Sequence, residues 1–399
     1  MATAFVNGRV FVGDGRVLDK ATVVVEGERI VKVGSAKAGL PAKARRVPLD
    51  GATLCPGFID CHVHLCTDGS PDPITALLRQ TVPETTLLAA EMARRTVLAG
   101  VTTVRDMGAV SGIDLALRAA VRAGRLVGPR MLVSHQLICM TGGHGWHLGR
   151  QADGPDEVRR AAREQIKAGA DVVKLMATGG VMTPGVEPGS PQFTEEELRA
   201  GIEEAHKAGR RTATHAQGTR GVLNALRAGI DSVEHGFFLD DETVGLMVER
   251  GVSYVPTLAA VHFIVVQGRE AGIPDYAVDK ATRARESHLD SVRLARAAGV
   301  RIGLGTDAGT PFNLHGQNLV EAELLAAAGM TPQEALQAGT LVAAEVLGLE
   351  KELGSVEEGK LADLVLVEGN PLEDLSLLSR PEAIRLVIQG GRVLKDVGD

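Results

Sequence analysis

A (β/α)8 TIM barrel is the fold class that this 399-residue sequence predicts, and three observations predict it. β-rich runs alternate with amphipathic helical runs through roughly residues 56 to 355. Five of the β-rich runs stop in Gly or a loop beside a polar residue: His62 and His64 in FIDCHVHL, Lys174 in DVVKLMATGG, His215 in RTATHAQG, His235 in DSVEHG and Asp307 in IGLGTDAGT. Those residues fall at strand C-terminal ends, where a parallel barrel keeps its chemistry. No GxGxxG or GxxxxGK[ST] turn occupies a strand-to-helix junction, as an open doubly wound sheet would favour.

Each element follows from its local pattern. The N-terminal run FVNGRVFVGDGRVLDKATVVVEGERIVKVG reads as short strands joined by Gly-rich turns, and so does GSVEEGKLADLVLVEGNPLEDL near the C-terminus. In FIDCHVHL, side chains alternate with period two, so His62 and His64 share a face while Cys61 and Val63 point to covering helices. Cys61 is therefore a packing residue rather than a thiolate ligand. The runs PETTLLAAEMARRTVLAG, DEVRRAAREQIKAGA, TEEELRAGIEEAHKAGR and RGVLNALRAGI space their apolar positions three and four apart and predict helices.

A lone His in an apolar strand is more often a hydrogen-bonded core residue than a ligand. Five such sites in strand-end positions are hard to explain one by one, and imidazole with carboxylate oxygen is what a zinc-type site takes. Lys174 is the misfit. A protonated amine cannot ligate a cation, and burying it unpaired is costly, so it is neutral, paired with an acid such as Asp307, or covalently modified. The residues alone leave these open.

Taken in order, HxH, Lys, His, His, Asp resembles the amidohydrolase superfamily. The segments PGFIDCHVHL, AGVTTVRDMG, TGGHG, KLMATGG, THAQG with SVEHG, GTDAG followed by HGQNLVEAELL, and GMTPQEAL are similar to its imidazolonepropionase-like and Xaa-Pro or Xaa-Arg dipeptidase (prolidase-like) group. The resemblance implies a barrel over residues 56–355 and a small β-sandwich assembled from residues 1–55 and 356–399. It implies two divalent metal ions, expected to be zinc, bridged by the N6-carboxylated side chain of Lys174. His62, His64 and Asp307 would hold the more buried ion, and His215 and His235 the other. A hydroxide shared by the two would attack an amide carbonyl, with Asp307 carrying the proton to the leaving nitrogen; Asp307 as a plain ligand is the alternative.

Loops at the barrel mouth should decide the substrate. TGGHGWHLGR offers His144 to a carbonyl oxygen on which charge develops, and His147 or Arg150 to a substrate carboxylate. Lid packing is the plainer reading of Trp146 and His147. Tyr254, in GVSYVPTL, is a pocket candidate whose ordinary alternative is a buried hydroxyl on a backbone partner. By family likeness His315 and Asn318 are pocket candidates as well, while the plainer reading of Glu321 is the start of the next helix.

Composition sets bounds. Net charge is -7, the pI is near 5.9 and aromatic residues are 3%, which gives no footprint for nucleic acid. Neither a basic n-region with an apolar stretch nor a membrane span is read. Four cysteines without CxxC spacing fit a reducing cytoplasm. The expectation is a cytoplasmic, homo-oligomeric hydrolase of an amide bond in a dipeptide or N-acyl amino acid. Rival readings are a cyclic amide hydrolase, a deaminase and a non-catalytic scaffold. The deaminase is disfavoured because His215-Ala216-Gln217-Gly218 stands where those enzymes show HxxE.

Overall fold

The computed structural model describes residues 2–35, 41 and 43–397. Strands from both ends of the chain hydrogen-bond into one mixed sheet. Its N-terminal members are β1 (Thr3–Phe11), β2 (Val17–Glu26), β3 (Arg29–Ser35), β4 (Arg45–Pro48) and β5 (Thr53–Pro56). Two parallel sheets follow. One holds β6 (Phe58–Val63), β7 (Val101–Asp106) and β8 (Arg130–Val133). The other holds β9 (Leu137–Cys139), β10 (Gly149–Gln151), β11 (Val172–Met176), β12 (Arg211–Ala216), β13 (Ser232–His235) and β14 (Ser253–Val255), in the order β10-β9-β11-β12-β13-β14. The chain closes with β15 (Leu364–Val367), β16 (Ile384–Gln389) and β17 (Arg392–Asp396). These complete the mixed sheet as β17-β16-β15-β5-β1-β2-β3, with β4 on β1.

The predicted helices lie between the parallel strands, at Val82–Leu98, Gly154–Ala168, Glu195–Lys207 and Thr219–Ala228. Their ends have physical causes. Thr194 and Glu197 form a reciprocal capping box. Gly169 and Gly229 terminate their helices in the left-handed region, which a side chain would strain.

The parallel set departs from the expectation in one respect. Among the described residues the run that ends at Asp307 forms no continuous strand; it carries isolated bridges instead. Its glycines supply the reason. A Cβ on Gly305 would lie 2.4 Å from Val255 Cγ1, and Gly303 packs on Val346, so the run is drawn tight against its neighbours. It is still bonded on both sides. Gly303 N donates to Tyr254 O at 2.9 Å, Cys61 N to Leu304 O at 2.9 Å and Asp307 N to His62 O at 2.7 Å. On the other seam Asp171 N donates to Val133 O at 2.8 Å. Cys61 packs with Ala343 and Val346, on the face opposite His62, and all four cysteines are buried and free. Among the described residues no helix is long and apolar enough to cross a membrane.

Candidate active site

Six side chains converge at the C-terminal ends of the parallel strands: His62, His64, Lys174, His215, His235 and Asp307 line one cavity. The backbone is bent where two of them leave their strands, since His235 and Asp307 have φ of 72 and 59. Non-glycine residues in that region are held there by their surroundings, and such strain clusters at working sites.

Each ring is fixed by one nitrogen. His62 Nδ1 meets Glu234 Oε2 at 2.9 Å and His64 Nδ1 meets the Gly108 carbonyl at 3.1 Å. His215 Nε2 meets the Gly179 carbonyl at 3.0 Å, and His235 Nδ1 meets Thr257 Oγ1 at 2.7 Å. The second nitrogen of each ring is left for something else, the arrangement by which proteins orient imidazole ligands. Asp307 Oδ1 lies 3.4 Å from both His62 Nε2 and His64 Nε2. One ligand atom each from His62, His235 and Asp307 falls within 4.8 Å of the others. The His235 ring is 5.0 Å from that of His62 and 4.3 Å from that of His215, its predicted partner.

Burial sets the charge state. It pushes His64 down to about 3 and holds His62, His215 and His235 well below the usual histidine range, so all four rings are neutral and able to ligate near pH 7. Lys174 is pushed down to about 8, again by burial first. Among the described residues its buried Nζ has neither a hydrogen-bond partner nor a carboxylate within ion-pair distance. The Lys–Asp307 ion pair is therefore not formed. An orphaned buried amine beside four neutral imidazoles and a carboxylate suits a carbamate between divalent ions, and the residues fit the group.

The substrate candidates divide. His144 and His147 line the cavity; His144 Nδ1 is bonded to Thr183 Oγ1 at 2.7 Å, and burial lowers the two to about 3 and about 4. Four others, Arg150, Tyr254, His315 and Asn318, do not line it. Arg150 turns away to Glu164, 3.0 Å from Nε. The Tyr254 hydroxyl donates to the carbonyls of His235 and Gly236 at 2.8 and 3.1 Å, holding the bent end of β13 from below. His315 Nε2 faces the carbonyls of His64 and Thr67, and Asn318 Nδ2 donates to Asp60 Oδ2 at 2.8 Å. In each case the polar side chain found a backbone or carboxylate partner first, and for the three buried ones such a partner is obligatory. Glu321 accepts from the N–H groups of Leu258 and Ala259, both at 2.8 Å, so it caps the helix Leu258–Gln267.

Two supporting acids were missed. Glu234 bridges His62 to Arg105, whose Nη2 donates to Oε1 at 2.8 Å, and Ser232 donates to the same oxygen at 2.7 Å. Asp60 accepts from the N–H groups of His62 and Thr306, tying β6 to the run that ends at Asp307. Period-two counting back from His64 through His62 reaches Asp60, and that signal was present in the sequence. Glu234 directly precedes His235, yet both reach the His62 ring because the backbone turns at His235, so period-two counting gives no signal for it and only the fold reveals it.

A match to the amidohydrolase family spans residues 53–394. The chain belongs to that family. This amidohydrolase is 34% identical to the ochratoxinase of Aspergillus niger over 98% of its own length and 86% of the relative's. It is 26% identical to the imidazolonepropionase of Sphingopyxis alaskensis, with 90% and 89% covered. A crystal structure of a Xaa-Pro dipeptidase with methionine bound in its active site superposes with a TM-score of 0.92 at 33% identity, covering 99% of this chain and all of that one.

Proposed function

We propose that this chain hydrolyses an amide bond joining an acyl group to an amino acid, as in a dipeptide or an N-acyl amino acid, at a binuclear site held by His62, His64, Lys174, His215, His235 and Asp307. The observation that carries the reading is the set of four imidazoles, each with one nitrogen engaged and one spare, around a lysine amine with no partner. Similarity to an ochratoxinase and to a Xaa-Pro dipeptidase supports it. When bound, divalent ions supply positive charge that activates water and polarises a carbonyl.

The protein's own groups do the rest. Asp307, partly open to the cavity, takes the proton released as water attacks and returns it to the leaving nitrogen. His144, braced by Thr183, presents its ring to the carbonyl oxygen. Leu137, Leu148, Met176 and Met182 give the cavity an apolar wall that excludes water and takes an apolar substituent. With Arg150 turned away, His147 is the residue left to meet a substrate carboxylate.

On the same footing we read the parallel strands as a (β/α)8 barrel over residues 56–355 and the terminal segments 1–55 and 356–399 as a β-sandwich. Backbone bonds at both seams of the parallel set support the first. A single apolar cluster that takes Ile30 from one end of the mixed sheet's strand order and Ile388 from near the other supports the second.

The test joins metal analysis to a substrate panel of Xaa-Pro and Xaa-Arg dipeptides, N-acyl amino acids and a lactam. About two divalent ions per chain with turnover of a peptide or N-acyl amino acid is expected. Turnover of the lactam alone, or full activity without metal, would overturn the reading.

A further inference from the structure

A second cavity, of about 560 Å³, lies at the other end of the parallel strands. Arg130 opens β8, Asp171 immediately precedes β11 and Arg210 immediately precedes β12, so these residues mark the strands' N-terminal ends. Its opposite wall is the β16–β17 turn of the mixed sheet, with Gln389, Gly390 and Arg392. Five guanidinium groups line it: Arg118, Arg122, Arg130, Arg210 and Arg392. In a chain of net charge -7 that is a local inversion of sign.

Only two of the five are paired. Arg118 is held by Asp171, and Arg130 Nη2 lies 3.4 Å from Asp363 Oδ1. Arg122, Arg210 and Arg392 have no carboxylate within ion-pair distance among the described residues. The Nε atoms of Arg130 and Arg210 are moreover buried without a hydrogen-bond partner, a state that protein interiors rarely leave uncompensated. Among the described residues the only carboxylates lining the cavity are Asp171, already engaged, and Glu28. Guanidinium forks present paired donors that match oxyanions, and the cavity has room for more than one such group.

We propose that this cavity binds a small multivalent oxyanion, carrying several phosphate or carboxylate groups, between the parallel strands and the mixed sheet. The site is distinct from the six-residue cavity at the strands' C-terminal ends. Its occupant bridges Arg210 on one side and Arg392 on the other, and so clamps the two sheet systems together.

Calorimetric titration of the metal-loaded protein tests this with two trivalent anions that chelate metals weakly, cyclic trimetaphosphate and benzene-1,3,5-tricarboxylate. One site per chain is expected for at least one of them, and which one binds tells phosphate from carboxylate. Affinity should fall with added salt, and binding should raise the thermal midpoint. Arg392→Ala should weaken binding about tenfold and R210A/R392A about a hundredfold, with amide hydrolysis unchanged. Failure of both anions to bind at millimolar concentration, or equal binding by the double variant, would overturn the proposal. Should the double variant misfold, the exposed Arg392→Ala decides alone, and undiminished binding by it overturns the proposal.

Discussion

At the scale of single residues, Lys174 carries the most information. An amine with no partner in a site crowded with imidazoles is unfavourable unless it is converted into something that binds. Lys174→Ala is expected to lose metal and turnover together, with partial recovery when a small carboxylic acid is added; unchanged metal content by elemental analysis would reduce Lys174 to a packing residue. Glu234 makes a separate case. It orients His62 and is itself gripped by Arg105, so Glu234→Gln should lower metal affinity about 10- to 100-fold in a chelator competition. Glu234→Ala should in addition cost about 3–5 kcal/mol of stability, because it strands a buried guanidinium. The clustering of six residues was legible in the sequence because strand ends fix direction. Arg150, His315 and Asn318 were not, since a side chain on a loop or an edge strand goes to whichever partner folding brings near, and here those were Glu164, a pair of carbonyls and Asp60, whereas Tyr254 took the backbone partner ordinary for a buried hydroxyl.

At the scale of elements, the loop after β11 works by lacking side chains. A Cβ on Gly180 would stand 2.3 Å from His144 Nε2, so Gly180→Ala should displace that ring and reduce kcat while metal content stays as it was. Helix to helix, Glu204 joins Arg163 of Gly154–Ala168 to Lys207 of its own helix, Glu195–Lys207. Hydrogen bonds from Arg163 first, and then Lys207, hold its carboxyl at about 2, below the ordinary 4.5. A lowered acid stabilises the folded state at pH above about 4.5 and loses that contribution as pH falls toward 2. Glu204→Gln should therefore flatten the loss of stability across that window, read from thermal midpoints at stepped pH. Helices of this kind were legible from period and caps. The last parallel run was only half legible, because its glycines serve close packing as well as turning and leave bridges where a ladder was expected.

At the scale of the molecule, the bound ions should contribute to stability as well as chemistry, since a ligand that prefers the native state stabilises it by mass action. At free metal a thousandfold above the dissociation constant this is about 4 kcal/mol, so a chelator should lower the thermal midpoint by several degrees; an unmoved midpoint would mean that the cavity does not depend on its ions. The mixed sheet has a different implication. Thr53 of β5 pairs with Val367 of β15, partners separated by about 300 residues of chain. At about 5–20 residues per second, a ribosome needs roughly 15 to 60 s to travel from one to the other. Throughout that interval β5 waits with an unsatisfied edge, which makes the nascent chain a client for whatever holds exposed strands apart. The arrival of β15 thus acts as a release signal for β5.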